Sequence, residues 1–337
     1  MNSLRVIRHA IVGVVLVVAT LLTLGCAATS PADPQLRDRA TLCLHRGMRF
    51  PGNAAVRAEA MEAAGEVLGV QAAQVIREGL RDEHPGVRFA ACMALGATSD
   101  RASADAVRPL VNDPDMNVRV GAYYALERMG DFEYRQTWAE VMRKDKDSAV
   151  RRNAVMAMGL LGNAKAMPLL KRVAADDSDD GVRLQAVEAR GMWGDAEAEA
   201  RFSRDAVGGR SYRRPFALLV LGRAKGPEVI GILSSRLAHA PYLEARLAAA
   251  RGLAMHGGHD GYNLARASLS WNSPEQDLPD DPAENQIMRV RTMAAMALGE
   301  MHDRRALGSL SACMESADDP RIQLATAGAI LTILNNS

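Results

Sequence analysis

The chain has 337 residues, 41 Lys and Arg against 40 Asp and Glu, a formal net charge of +1 and only 4% aromatic residues. Its balanced charge supplies no global field to recruit nucleic acid, and its four cysteines include no CxxC pair and no histidine spacing suited to a metal. Ala and Leu dominate, no segment alternates as a strand does, and most prolines fall between apolar-periodic segments, so the expected fold class is all-α.

Taken in chain order, Arg5 and Arg8 precede an uncharged run from Ala10 to Leu24, which reads as an export signal over residues 1–25. The run closes on "LLTLGC", which resembles the bacterial lipobox, where signal peptidase II cleaves and the following cysteine is lipidated. The resemblance implies a lipid anchor on Cys26. An uncleaved anchor helix is the alternative, because "AIVGVVLVVATLLTLGCAA" is about 19 residues, close to the length that spans a bilayer. Either reading puts the rest of the chain in the cell envelope, facing the periplasm or the exterior. Removing two arginines with the leader leaves 39 bases against 40 acids, a formal charge of −1. Residues 26–34 form a short tether whose stretch "AATSPADP" reaches about 25 Å when extended.

From residue 35 to the C-terminus one motif recurs: Val56-Arg57, Val87-Arg88, Val118-Arg119, Val150-Arg151, Val182-Arg183 and Val290-Arg291, with degenerate copies at Arg213-Arg214, Ala245-Arg246 and Ile322-Gln323. Each copy continues with Ala four residues after the Val, a small residue at plus seven, usually a large apolar residue at plus eight and often Gly at plus nine. At about 100° per residue the apolar and small positions share one side of a helix. A polar turn and a second amphipathic segment complete the unit. Two helices in about 31 residues, stacked on like neighbours, predict an α-solenoid of about nine hairpins.

The motif, "D-x-x-x-x-V-R-x-x-A-x-x-A-L-G" followed by a GD or GN turn, resembles the HEAT-like repeats first named from phycobilisome lyases. An aspartate stands six residues before four of the arginines, giving the pairs Asp82 and Arg88, Asp113 and Arg119, Asp145 and Arg151, and Asp177 and Arg183. Such an aspartate can approach the exposed N–H groups of the helix start and the Arg of its own or a neighbouring hairpin, offsetting the unfavourable placement of a cation there. The resemblance implies that these residues form a structural ladder along the stack.

Function is expected where the copies differ or where the inner face is unusual. Positions three and seven of the Val-Arg helices carry Phe89, Met93, Val120, Tyr124, Met156, Leu184, Leu219, Leu247 and Met296. In HEAT solenoids the second helix of each pair lines the concave surface, so this stripe is expected to form an apolar partner-binding groove, unless tight curvature buries it. The aromatic-rich end of that groove would lie near Phe132, Tyr134 and Trp138. Repeat six gathers Arg201, Arg204, Arg210, Arg213 and Arg214 around Phe202 and Tyr212, a possible anion patch. The insertion at 272–286 carries Glu275, Asp277, Asp280, Asp281 and Glu284 and is either a partner contact or a solvated loop.

No His-Glu dipeptide of the deoxyhypusine hydroxylase type occurs, and only "HGGHD" gathers His256, His259 and Asp260. That grouping reads as a turn, so no metal or cofactor is expected. Cys92 and Cys313 lie in helical patterns and read as buried apolar residues, while a disulfide through Cys43 stays open. The function expected from sequence is therefore a monomeric, membrane-anchored, non-enzymatic scaffold for an envelope protein or peptide. The alternative is a HEAT-like enzyme, phycobilin-lyase-like or metal-dependent, using the His256 turn or the repeat-six arginines.

Overall fold

The computed structural model describes residues 32–208, 214–224, 226, 228–274 and 281–336. Two units are distinguished, Met1–Leu36 and Arg37–Ser337. The leader and Cys26 lie outside the described residues, and the first unit is described only where helix α1 (Ala32–Met48) begins, three residues ahead of the expected start of the repeats.

In the second unit the Val-Arg motifs head a series of nine inner helices among the described residues. They are α2 (Ala54–Leu68), α4 (Pro85–Thr98), α6 (Met116–Met129), α8 (Ser148–Leu161), α10 (Asp180–Met192), α12 (Arg214–Leu221), α14 (Leu243–Met255), α16 (Ala283–Glu300) and α18 (Pro320–Asn335). The outer partners after α1 are α3 (Ala73–Gly79), α5 (Ala104–Val107), α7 (Arg135–Lys144), α9 (Met167–Asp176), α11 (Ala196–Gly208), α13 (Val229–His239), α15 (Tyr262–Ser268) and α17 (Leu307–Ser316). Five of the inner helices start where an Asn or Asp side chain satisfies their free N–H groups: Asn53, Asp115, Asp147, Asp179 and Asp319 each accept from an amide two or three residues on. They stop at residues that turn the chain, as at Gly130, whose φ of +98° suits a residue without Cβ.

The plus-nine glycines set how closely the inner helices approach. A Cβ on Gly96 would stand 2.5 Å from the Tyr124 ring and 2.9 Å from the Ala125 Cα, and one on Gly299 would stand 2.9 Å from the Ala329 Cα. At these positions the inner helix lies almost backbone to backbone on the next. The series also closes: α2 contacts α4, the contacts continue hairpin by hairpin to α18, and α18 returns to α2. At the seam the Asn335 amide donates to the Val67 carbonyl at 2.7 Å, Arg37 donates to the Asn335 side chain at 2.6 Å and to the Leu334 carbonyl at 2.7 Å, and Arg39 pairs with Glu315. The α-solenoid of this unit is a ring.

Closure decides the fate of the inner stripe. Nine helices spaced roughly 9 Å apart make a circuit of about 80 Å and a radius of about 13 Å, of which the helix bodies take about 5 Å. So tight a curve turns inward-facing side chains onto one another. Val120 and Leu247 are fully buried, Tyr124 is 3% and Met93 7% exposed, and Phe89, Met156, Leu184 and Leu219 are half-buried. Of the stripe only Met296, at 40%, is exposed. The expected apolar groove is thus corrected to part of the core: Met93, Val120 and Tyr124 join one cluster with Trp138, Val155 and Leu170, and Phe89 and Met156 pack against it.

The ladder spans the hairpins from α2 to α10. Arg57 forks onto Asp82 (2.8 and 2.8 Å), Arg88 onto Asp113 (2.9 and 2.9 Å) and Arg151 onto Asp177 (2.9 and 2.7 Å), so each carboxylate comes from the following hairpin. Toward their own loops four arginines donate to the aspartate's carbonyl, Arg88 to Asp82, Arg119 to Asp113, Arg151 to Asp145 and Arg183 to Asp177, while Arg57 donates to the Phe50 carbonyl. The same aspartates accept the amides of His84, Asp115, Asp147 and Asp179, each at 2.9 Å. Arg119 makes the carbonyl bond without the fork, and Arg183 pairs instead with Asp180 on its own helix.

Candidate anion-binding cleft

The plus-eight position of the inner helices holds the core. It reads Ala64, Leu95, Leu126, Met158, Leu221, Leu253, Leu298 and Ile330, all buried, with one exception on α10. There the residue is Arg190, and it too is buried, at 5% exposure. A guanidinium in a leucine position is costly unless it is paired and hydrogen-bonded. One nitrogen of Arg190 donates to Asp195 at 2.7 Å and to Glu197 at 2.6 Å, but its Nε is inaccessible and without a hydrogen-bond partner among the described residues.

Arg190 forms the inner end of a cleft of 270 Å³ between α9, α10 and α11, which Lys171, Arg201 and Arg204 also line. The α11 face that buries Ala198, Phe202 and Ala206 leaves Arg201 and Arg204 at the rim. Neither has an ion pair among the described residues. Asp195, the polar-turn aspartate of this repeat, anchors the assembly: its carboxylate accepts the Ala198 amide at 3.1 Å and stands 3.2 Å from the Lys171 Nζ. Burial would push its carboxyl up, yet the Ala198 amide, Lys171 and Arg190 together hold it below the usual range. Glu197, by contrast, is 82% exposed and is held at one end only. Four cations thus face two carboxylates, one fixed and one at the water boundary.

Of the sequence-expected patch, Arg201 and Arg204 reach this cleft. Arg210, Arg213 and Tyr212 lie outside the described residues, as does the side chain of Arg214 at the head of α12. Phe202 is core rather than rim, edge-on to Phe216 at 6.0 Å. Sequence reasoning missed Arg190 and Lys171, although Arg190 is visible as a charge in an otherwise apolar register.

The remaining candidates stay apart. His256 is exposed and His259 lies 3.6 Å from the Asp303 carboxylate; among the described residues no three His, Cys, Asp or Glu side chains gather as metal ligands. Cys43, Cys92 and Cys313 are free thiols, and burial pushes that of Cys43 up to about 11. Trp138 is buried and donates to the Ala154 carbonyl, whereas Phe132 is exposed beneath the Arg135 guanidinium. The insertion's Glu275, Asp277 and Asp280 lie outside the described residues; Asp281 pairs with Arg289, which also holds Glu244, and Glu284 opens α16, exposed.

The profile of HEAT repeats matches residues 48–127 and 105–191. The chain carries HEAT repeats. Helical hairpins continue beyond residue 191 in the structure through α18. Among solved structures, human deoxyhypusine hydroxylase in complex with glycerol is similar at 18% identity and a TM-score of 0.39, over 81% of this chain and 99% of its own. The CpcE and CpcF complex of phycocyanin lyase from Nostoc sp. PCC7120 is similar at 18% identity and a TM-score of 0.42, over 74% and 92%. Kap121p bound to Nup53p is similar at 14% identity and a TM-score of 0.33, over 85% of this chain and 36% of its own. No curated protein sequence matches the chain.

Proposed function

We propose that this HEAT-repeat ring is a non-catalytic scaffold of the bacterial cell envelope, tethered through a lipidated Cys26, that holds an acidic segment of another protein in the Arg190 cleft. The observation that carries the reading is the buried Arg190, with its orphaned Nε, in a register the other hairpins fill with Ala, Leu, Met or Ile. A repeat scaffold has no packing reason for a charge there, whereas a site for a carboxylate does. An entering carboxylate displaces the exposed Glu197 from Arg190 and meets Arg201 and Arg204 at the rim, while Asp195 keeps the guanidinium aimed. The tether rests on the Arg5–Arg8 leader and "LLTLGC", and an acyl-modified cysteine with more than one chain gives stable anchoring.

The test is crosslinking in intact cells from a photoreactive side chain at Ala175, which lines the cleft. One envelope protein should be trapped, through a peptide rich in Asp and Glu, and the adduct should disappear in Arg201→Glu/Arg204→Glu. A trapped peptide without acidic residues, a phosphorylated one, or a yield unaffected by charge reversal rejects an acidic-segment site. In the same cells Cys26→Ser should abolish labelling by radioactive palmitate; persistent labelling rejects the tether.

A further inference from the structure

Inside the ring one charge lies between two cavities. Arg251 takes on α14 the inward position held by Tyr124 on α6 and Met296 on α16. Its Nε is inaccessible and has no hydrogen-bond partner among the described residues, its nearest carboxylate contact is Glu300 at 3.9 Å, and one terminal nitrogen rests 3.3 Å from the Met296 sulfur. Thr292 Oγ1, one turn before Met296, is likewise buried without a partner among the described residues. Unsatisfied buried polar atoms are rare in folded proteins and call for a ligand or water.

The two cavities have opposite character. In the first, of 140 Å³, Arg223 and Arg251 face a single carboxylate, Glu188, across an apolar wall that includes Phe216, Leu219 and Met255. Glu188 is already engaged by the Gln185 amide at 2.6 Å, and burial holds its carboxyl above the usual range. In the second, of 220 Å³, Glu66 and Glu300 face Arg251. One turn before Glu66, the surrounding protein and the charges of Glu59 and Glu66 hold the Glu62 carboxyl above its ordinary range, so negative charge is in excess on that side. An anion alone is repelled by the second cavity and a cation alone by the first.

We propose that the lumen binds a short zwitterion of amino-acid or dipeptide size, its carboxylate held by Arg251 and Arg223, its ammonium by Glu66 and Glu300, and an apolar side chain against Phe216 and Leu219. This site is independent of the outer cleft, so the two readings stand or fall separately.

Calorimetric titration of the full-length protein with the dipeptide Ala-Leu tests it, against N-acetyl-Ala-Leu, which lacks the ammonium, and Ala-Leu amide, which lacks the carboxylate. Ala-Leu should bind at one site per chain, and each blocked form should bind about tenfold or more weakly. Arg251→Met, which exchanges a poorly paired buried charge for a flexible apolar residue, should stay folded and lose the titration; Arg223→Met serves the same purpose should the first variant not fold. Glu66→Gln should weaken Ala-Leu while leaving the amide-to-acid preference intact. Absence of binding up to roughly 10 mM, equal binding of the blocked forms, or undiminished binding by the folded arginine variants overturns the proposal.

Discussion

An arginine in the first turn of a helix opposes the positive end of the macrodipole, and Arg57, Arg88 and Arg151 resolve that conflict sideways, toward the next hairpin and the preceding loop. Arg151 and Asp177 have side chains only 9% and 7% exposed. Removing one partner therefore strands the other, and Arg151→Ala should lower stability by about 3 kcal/mol, read as a lower urea midpoint, against less than about 0.5 kcal/mol for the exposed Arg204→Ala. The Arg151 fork holds the Asp177 carboxyl below its ordinary value. A carboxyl depressed in the folded state stabilises above its unfolded pKa, and that stability is lost as pH falls through the folded value. Wild type should therefore lose stability steeply below about pH 4, and Arg151→Ala should lose less over the same range. The six-residue spacing of Asp and Arg and the ladder it implied were legible in the sequence, but not which of its bonds stays within a hairpin and which crosses to the next. Within one hairpin it joins a guanidinium to a carbonyl, and the carboxylate fork comes from 25 or 26 residues onward.

The inner helix is the unit in which sequence was most and least informative. Its Ala and Gly positions announced close stacking, and the backbone approach at Gly96 bears this out. Gly96→Ala should cost about 2 kcal/mol or more in chemical denaturation, since the added methyl meets the Ala125 backbone as well as the movable Tyr124 ring. A cost below about 0.5 kcal/mol would mean that the helices stand further apart than described. For the inward stripe the sequence left groove and core open, because curvature decides between them, and only its apolar members were collected. The same register holds Glu62, Glu188 and Arg251 in other copies, and those interruptions, together with Arg190 at plus eight, mark the lumen and the outer cleft. Periodicity finds what repeats, whereas chemistry lies in the copies that do not.

At the scale of the whole repeat unit, curvature was not legible, because it accumulates from a small rotation at each junction that no single hairpin encodes. In an open solenoid the terminal hairpins have one neighbour and fray first. Here α2 and α18 each have two, so the end hairpins share the cooperativity of the rest. Contact between the two ends also makes the starting point of the unit arbitrary. A gene that joins Asn335 to Arg37 through a short linker and opens the chain between α11 and α12 rearranges the order of the hairpins without removing an inner-helix contact. Such a circular permutant of Arg37–Ser337 should fold to the same far-ultraviolet dichroism as the unpermuted unit, whereas a chain that fails to fold once rejoined would show that the seam is not the junction described.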